Sequence, residues 1–497
     1  MNMNRLTILA SALMMTGAAV AQDSYDAANL ATKDLNGTAR YVGMGGALGA
    51  LGGDISVMGT NPAGTAMFRK TDVTITLSGV FGDKGQLGHD GSRMSVDNSG
   101  VVVSLPIEDG GKLQYVNFGA NYTKSRNYLG NLNTAVGNLG SMFSQTFQIA
   151  DLANTAYDNN YFGMLADMSS PIYEDGVRTK DGIVGENIDN EGTFLGYVGL
   201  PAAAANYQRS TYGSTSQVDM NVSFNVLDKY FFGAAVGVYD VNYNRESFYQ
   251  ELGTDGISYD FSNWYNTDGT GVDFKLGFIC RPVDESPFRF GLNVSTPVWY
   301  RLEDVNGSML YINDNYVDNQ STDPYEYNYR TPWKFGASLG YTVGNYFAIG
   351  AEYEYQDLST SKYSENGHET SYFIVQNDFI KKNLQSQSTL KLGMEVKPSS
   401  AFSIRCGYNY VSAPMKKDAY RIIAYDSPFT ETDFTNWKAT NRFTFGLGYR
   451  YKGGYLDLAY QYSAQKGDFY AFDELELKPT EIENNRSQLM CTFGFRF

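Results

Sequence analysis

The stretch Val272-Asp273-Phe274-Lys275-Leu276-Gly277-Phe278-Ile279-Cys280-Arg281 decides how the chain folds. Val272, Phe274, Leu276, Phe278 and Cys280 fall on one side of an extended backbone, and Asp273, Lys275, Gly277 and Arg281 fall on the other. A period of two is that of a β-strand with one apolar face. The pattern recurs between Asp72 and Phe81, where Val73, Ile75 and Leu77 oppose Thr74, Thr76 and Ser78. Leu390, Leu392, Met394 and Val396 oppose Lys391, Gly393 and Glu395, and Phe443, Phe445, Leu447, Tyr449 and Tyr451 oppose Thr444, Gly446, Gly448 and Arg450. In a soluble sandwich the apolar rows would form the core; in a membrane barrel they would meet lipid while the charges line the lumen. Connections and strand number separate the two.

Working outward, the alternation predicts fourteen strands: 72–81, 98–105, 113–123, 217–227, 230–245, 269–281, 288–300, 330–343, 346–356, 386–396, 402–410, 441–451, 455–464 and 486–497. Tight turns at Asp228-Lys229, Gly344-Asn345, Lys397 to Ser400 and Lys452 to Gly454 alternate with long polar connections at 246–268, 301–329, 357–385, 411–440 and 465–485. An even strand number with short links on one rim and long ones on the other is the outer-membrane arrangement. The expectation is an all-β, fourteen-stranded antiparallel transmembrane barrel over 72–497, with both termini and every tight turn on the periplasmic side. Leu489, Cys491, Phe493, Phe495 and Phe497 share one face of the last strand. That strand resembles the terminal signal of barrels delivered to the outer membrane of Gram-negative bacteria, so barrel-insertion machinery is an expected partner, alongside outer-membrane lipids and lipopolysaccharide. Cys280, Cys406 and Cys491 all fall on lipid-facing rows, where each serves as a small hydrophobe.

Composition agrees. The 497 residues are 42% hydrophobic and 15% aromatic, too rich for disorder, and the net charge of -16 excludes nucleic acid as a partner. A mean hydropathy of -0.34 is too polar for a helical membrane bundle. Arg5, the apolar run Leu6 to Val20 and the small-x-small sequence Ala19-Val20-Ala21 predict a signal peptide over 1–21.

Between the signal peptide and the first strand, residues 22–71 do not alternate. They contain Ala39-Arg40, the run Gly43-Met44-Gly45-Gly46-Ala47, Asp54 and Asn61-Pro62-Ala63. The run is no phosphate loop, because no strand precedes it and Leu48 stands where the last glycine belongs. Glycines let a backbone fold tightly in a narrow space, and Pro62 fixes a bend. In this order the motifs resemble the N-terminal hatch of the FadL-type family of outer-membrane transporters for long-chain fatty acids and other hydrophobic compounds. The resemblance implies a fourteen-stranded barrel plugged by a hatch at 22–71, with Arg40, Gly43, Gly45, Gly46, Asp54, Asn61, Pro62 and Ala63 as hatch residues. It also implies a monomer that takes a hydrophobic small-molecule ligand by passive transport: capture at extracellular loops, passage beside the hatch, and lateral exit where the third strand is kinked.

Two features bear on that path. Leu113 and Tyr115 share one parity, whereas Val116, Phe118, Ala120 and Tyr122 share the other, so a bulge near Tyr115 to Val116, with Gly119 permitting a bend, predicts a wall opening at Tyr115, Val116, Phe118 and Gly119. In the connection 124–216, Val136, Leu139, Met142, Phe143, Phe147, Ala150 and Ala153 recur every three or four residues, predicting an amphipathic helix with Met142, Phe143 and Phe147 in ligand capture. The alternatives are a porin-like diffusion channel and a surface adhesin. An enzyme is not expected, because the two histidines, His89 and His368, fall in outer loops; no cofactor or metal site is expected either.

Overall fold

A computed structural model describes residues 22–82, 87, 91–107, 111–136, 139, 144–155, 172–174, 177–180, 182–283, 286–421, 431–473 and 477–497. The signal peptide, His89, Met142 and Phe143 lie outside the described residues.

Fourteen strands close into one antiparallel barrel. In chain order they are β1 (Asp72–Phe81), β2 (Ser92–Pro106), β3 (Leu113–Asn127), β4 (Ala202–Val226), β5 (Tyr230–Gly253), β6 (Ser258–Cys280), β7 (Arg289–Ser295 and Trp299–Ile312), β8 (Tyr325–Arg330 and Lys334–Val343), β9 (Phe347–Asp357), β10 (Ser386–Val396), β11 (Phe402–Val411), β12 (Phe434–Tyr451), β13 (Gly454–Tyr470) and β14 (Thr480–Arg496). Closure is made by β1 against β14, in register from Asp72↔Arg496 to Phe81↔Ser487. The tight turns fall where expected: Leu227 and Asp228 take positive φ between β4 and β5, as do Gly344 between β8 and β9 and Lys452 between β12 and β13.

Burial settles what alternation left open. Leu276 is 60% exposed while its neighbour Lys275 is 1% exposed, and Val73, Ile75 and Leu77 face out while Thr74, Thr76 and Ser78 face in. The barrel is inside out relative to a soluble sandwich, which is the arrangement for a lipid surround. Its charges are paired within: Lys275 with Asp219 at 2.8 Å and with Asp273, Lys391 with Glu352 and Glu354 at 2.8 Å each, Arg405 with Glu395 at 2.6 Å. Among the described residues no helix is long and apolar enough to cross a membrane. The three cysteines are free.

Several strands run beyond their expected ends. β4 starts at Ala202 rather than 217, β5 runs to Gly253, and β6 starts at Ser258. Stretches read as outer loops are strand because pairing continues above the lipid band, for example Tyr249↔Phe261 and Tyr249↔Tyr207. There both faces lose the lipid contrast, and hydropathy stops alternating while the ladder persists. Conversely, the expected strand 288–300 breaks after Ser295 and the expected strand 330–343 breaks after Arg330, at Pro297 and Pro332, which lack the N–H a ladder needs.

The segment before β1 folds as α1 (Ser24–Ala31), α2 (Ala39–Gly43) and two 3-10 turns, Ile55–Gly59 and Pro62–Met67. Asp23 caps α1 by accepting from the Tyr25 and Asp26 N–H groups, and Thr38 caps α2. The segment touches inward faces around the ring: Ala39 N–H donates to Thr492 of β14, Gly49 N–H to Glu352 of β9, and Thr65 to Asn221 of β4. One expectation is corrected. The first described residues sit at the long-loop end, opposite the carboxyl terminus, where Gln22 donates to Asp304 of upper β7 and Asp23 pairs with Arg421.

The helix of the long connection forms as α3 (Gln145–Thr155), starting after the expected Val136, which ends a strand at Gly130–Val136 instead. Its buried face, Ile149, Ala150 and Ala153, packs in an apolar cluster with Tyr207, Tyr259, Phe261 and Phe469 at the barrel mouth.

Candidate functional site

The hatch motifs are built into close contact with the wall. Gly340, Gly350, Gly393 and Gly407 lie side by side across β8 to β11. A Cβ at Gly393 would stand 2.1 Å from the Met44 carbonyl, and one at Gly407 would stand 2.2 Å from the Gly45 nitrogen. Gly45, at φ +61°, would put a Cβ 2.7 Å from the Leu392 carbonyl, and Gly43 approaches Gly446 of β12. Gly46, also at positive φ, abuts Leu35. Arg40 donates to the Gly53 carbonyl at 2.8 Å and reaches Glu395 at 3.4 Å. Asp54 accepts from Thr38 at 2.9 Å and from Ser56 N–H at 3.0 Å. Asn61 donates to the Gly49 carbonyl at 3.0 Å, and Pro62 and Ala63 press on Gly233 of β5. These residues fix the segment's shape and its fit to the barrel.

The wall is closed at the residues where an opening is expected. β3 does carry an extra residue near Tyr115, since its register to β4 shifts between Leu113 and Tyr115. Yet both ladders run unbroken through Val116, Phe118 and Gly119: β2 pairs with β3 from Pro106↔Tyr115 to Asn98↔Thr123. Phe118 faces outward, Gly119 makes room for the Met58 side chain, and Asn117 donates to the Thr65 carbonyl at 2.7 Å. Hydrogen bonds on both edges close the wall here.

The wall parts further up. Above Asn98, β2 continues to Ser92 but among the described residues pairs only with β1. There β1 and β2 shift register around Asp97, and β3 shifts against β4 between Lys124 and Arg126, leaving Ser125 as the extra residue. A bulge on each strand at the same height bends β3 away from β2. The edge thus uncovered presents Met94 and Val96 to the outside, 81% and 41% exposed.

Residues 34–36 cover the gap from within. Asp34 N–H donates to the Ser125 carbonyl at 2.9 Å, and the Asp34 carboxylate accepts from Asn127 N–H at 3.0 Å. The Asn36 amide donates to Asp97 at 3.0 Å and to the Lys124 carbonyl at 2.9 Å. Asp97, fully buried, also accepts from Ser78, Ser95 and Gln488 and faces Lys124 at 3.5 Å. Burial by itself would raise the Asp34 carboxyl, but Arg486, Arg126 and Arg442 more than offset it and hold it at about 2. Two luminal cavities meet at this point. One of about 130 Å³ is lined by Leu30, Lys33, Asn36, Ser125, Asp219 and Tyr300. The other, of about 230 Å³, is lined by Asp34, Arg126, Tyr128, Arg209, Trp437 and Arg442.

None of these residues was singled out from sequence, though one signal was available. Met94 and Val96 share one parity and Val103 and Leu105 the other, which marks the bulge at Asp97. Phe147 abuts Gly199 beneath α3, and His368 sits on an exposed turn bridged to Glu365.

An inside-out barrel whose amino-terminal segment lies in the lumen against its inner wall defines an outer-membrane β-barrel with a luminal amino-terminal segment. No protein-family model and no curated protein sequence matches the chain. Solved structures do. The toluene transporter TodX of Pseudomonas putida is similar at 13% identity and a TM-score of 0.51, covering 93% of this chain and 99% of that one. The monoaromatic hydrocarbon channel CymD is similar at 11% identity and a TM-score of 0.52, covering 94% and 98%. The chain shares the fold of these channels over nearly its whole length.

Proposed function

We propose that the protein carries hydrophobic small molecules passively across the outer membrane, without chemistry or an energy cofactor. The ligand is taken up among the outer loops, moves along the two cavities beside the N-terminal segment, and leaves sideways into the membrane where β3 parts from β2. One observation carries this reading: among the described residues the β2 edge above Asn98 pairs with no strand on the β3 side, and the gap is spanned by Asn36, which bridges the Asp97 side chain of β2 and the Lys124 carbonyl of β3, with Asp34 holding Ser125 of β3 beside it. An unpaired edge in a lipid surround is unfavourable unless something else satisfies it. A cover that is not part of the sheet can move without unravelling the barrel. The fold shared with TodX and CymD, whose names give toluene and monoaromatic hydrocarbons as cargo, fits an apolar substrate of this kind. The chain acts as a monomer, inserted through its Phe497 strand.

The test is to fix the cover. In a background with Cys280, Cys406 and Cys491 replaced by Ala, Asn36→Cys and Asp97→Cys are joined by a short thiol-reactive bridge. Uptake of a labelled long-chain fatty acid and of toluene into liposomes should stop with the bridge in place and return when it is cleaved. Undiminished uptake through the bridged protein contradicts lateral exit here.

A further inference from the structure

A second interruption of the wall lies beyond β4 to β6. The ladder between β7 and β8 stops at Ser295↔Lys334 and resumes at Trp299↔Arg330. Both pairs belong to one register, so Pro297 stands opposite Pro332. Each strand changes face there: on β7 the inward residues are Asn293 and Ser295 below the break and Val298, Tyr300 and Leu302 above it, and on β8 they are Ser338 below and Thr331, Tyr329 and Tyr327 above. One extra residue on each strand at the same height makes a paired bulge. Among the described residues two hydrogen bonds cross the break, from Thr331 N–H to the Val298 carbonyl at 3.1 Å and from Val298 N–H to the Thr331 hydroxyl at 2.8 Å. Neither proline has an N–H to leave unpaired. The Pro297 carbonyl accepts from the Thr296 hydroxyl at 3.0 Å. Thr296 is otherwise tied to β6, its N–H donating to the Phe274 carbonyl at 2.9 Å and its hydroxyl accepting from Phe274 N–H at 3.0 Å. On the luminal side Ser295, Thr296, Val298, Thr331, Pro332 and Lys334 line the 130 Å³ cavity. On the lipid side four exposed rings flank the break: Phe274 with Trp299 at 6.4 Å between centroids, and Trp333 with Phe335 at 6.4 Å. Just above, Arg301 and Glu326 form an exposed ion pair. The break therefore lies at the upper edge of the lipid band, where aromatic side chains gather.

We infer that β7 and β8 part at Pro297 and Pro332, giving a second side passage that joins the 130 Å³ cavity to outer-leaflet hydrocarbon and takes small neutral ring compounds. A sheet edge opened in lipid ordinarily leaves a row of unpaired N–H and C=O groups. Here the prolines remove two donors, Thr296 is satisfied by β6, and the Pro297 carbonyl is satisfied by Thr296, so opening breaks two bonds in place of a ladder. The three unpaired positions on each strand, at about 3.3 Å per residue, make a slot about 10 Å tall. A single ring fits such a slot edge-on, between Val298 and the two prolines. An ionised head would have to leave water between the same apolar side chains, which is costly, so charged amphiphiles keep to the β3 gap. The passage is separate from that gap and works with it closed.

The test uses the full mature chain in vesicles with a lipopolysaccharide outer leaflet, with Cys280, Cys406 and Cys491 replaced by Ala and Ser125 deleted to shut the β3 gap. Val298→Cys and Thr331→Cys place two thiols at directly opposite positions of the break. Entry of labelled ethylbenzene, above that into vesicles without the protein, should fall about tenfold or more when the pair is oxidised and recover on reduction. Oleate entry, already low without Ser125, should not change with oxidation. Equal ethylbenzene entry in both redox states would overturn the passage, as would complete loss of ethylbenzene entry on Ser125 deletion alone. Thr331→Val carries the test if the cysteine pair does not join or the variant does not insert. It removes one of the two bonds across the break and should raise ethylbenzene entry about threefold; an unchanged rate overturns the passage. The intact protein separates this from hydrophobe transport in general. Entry of neither ethylbenzene nor oleate through it defeats transport itself, whereas entry of both with no effect of the locked pair defeats the second passage alone.

Discussion

Single residues decide whether segment and wall can touch. Gly407 and Gly393 are glycine because the backbone of Met44 and Gly45 lies against them. Gly407→Ala should lower unfolding stability by about 1–3 kcal/mol, as overpacking does, whereas Gly82→Ala, with nothing nearer than 3.5 Å, should be neutral in the same denaturation experiment. The glycine run was legible as a tight fold because no other residue permits it, but the matching glycines on β8 to β11 read only as polar-face spacers. Asp34 was invisible, since a lone Asp in a non-alternating stretch carries no signal until Arg442 and Arg486 of distant strands meet it. Its carboxyl is depressed to about 2, below the ordinary value, so its contribution is present above the unfolded value and fades only as pH falls through the folded one. Exchange protection at residues 34–37 should therefore stay flat from pH 4 to pH 6, below the range where neighbouring Lys33, held down to about 7 by burial, loses its charge; a fall between pH 6 and pH 4 would mean that another group holds the cover.

At the scale of elements, strand parity was the readable quantity. It located the fourteen strands and the tight turns, because inside the lipid band every second residue meets hydrocarbon. It failed where that contrast ends, as in β4, β5 and β6, whose outer parts stay paired above the lipid band, with one face packed under the outer loops rather than on lipid. It also signalled an extra residue in β3, but at Val116 to Gly119 the ladders on both sides are continuous, and a bulge opens a wall only if the neighbouring ladder ends as well. At Gln114 the β2 ladder persists; at Ser125 it does not. Deleting Ser125 removes the second bulge while keeping the register on either side, so β3 should continue along β2. Fatty acid uptake should then drop about tenfold or more with the barrel still folded; uptake at the original rate would show that the bend is not used.

For the whole molecule, the decisive contrast is between an apolar outside and a lumen crowded by ion pairs and an amino-terminal segment. Among the described residues the segment narrows the lumen to cavities of about 130 and 230 Å³, so small polar solutes should be excluded while it is in place. The barrel's own ladder closes without that segment, through β1 and β14, so its removal should open the lumen instead of unfolding the wall. The most direct test of this account measures entry of a labelled long-chain fatty acid and of a small sugar into liposomes carrying the intact protein or a variant lacking Gln22 to Thr71. The account predicts fatty acid entry without sugar entry for the intact protein, and sugar leakage only for the variant. Sugar entry through the intact protein, or no fatty acid entry through it, would contradict it.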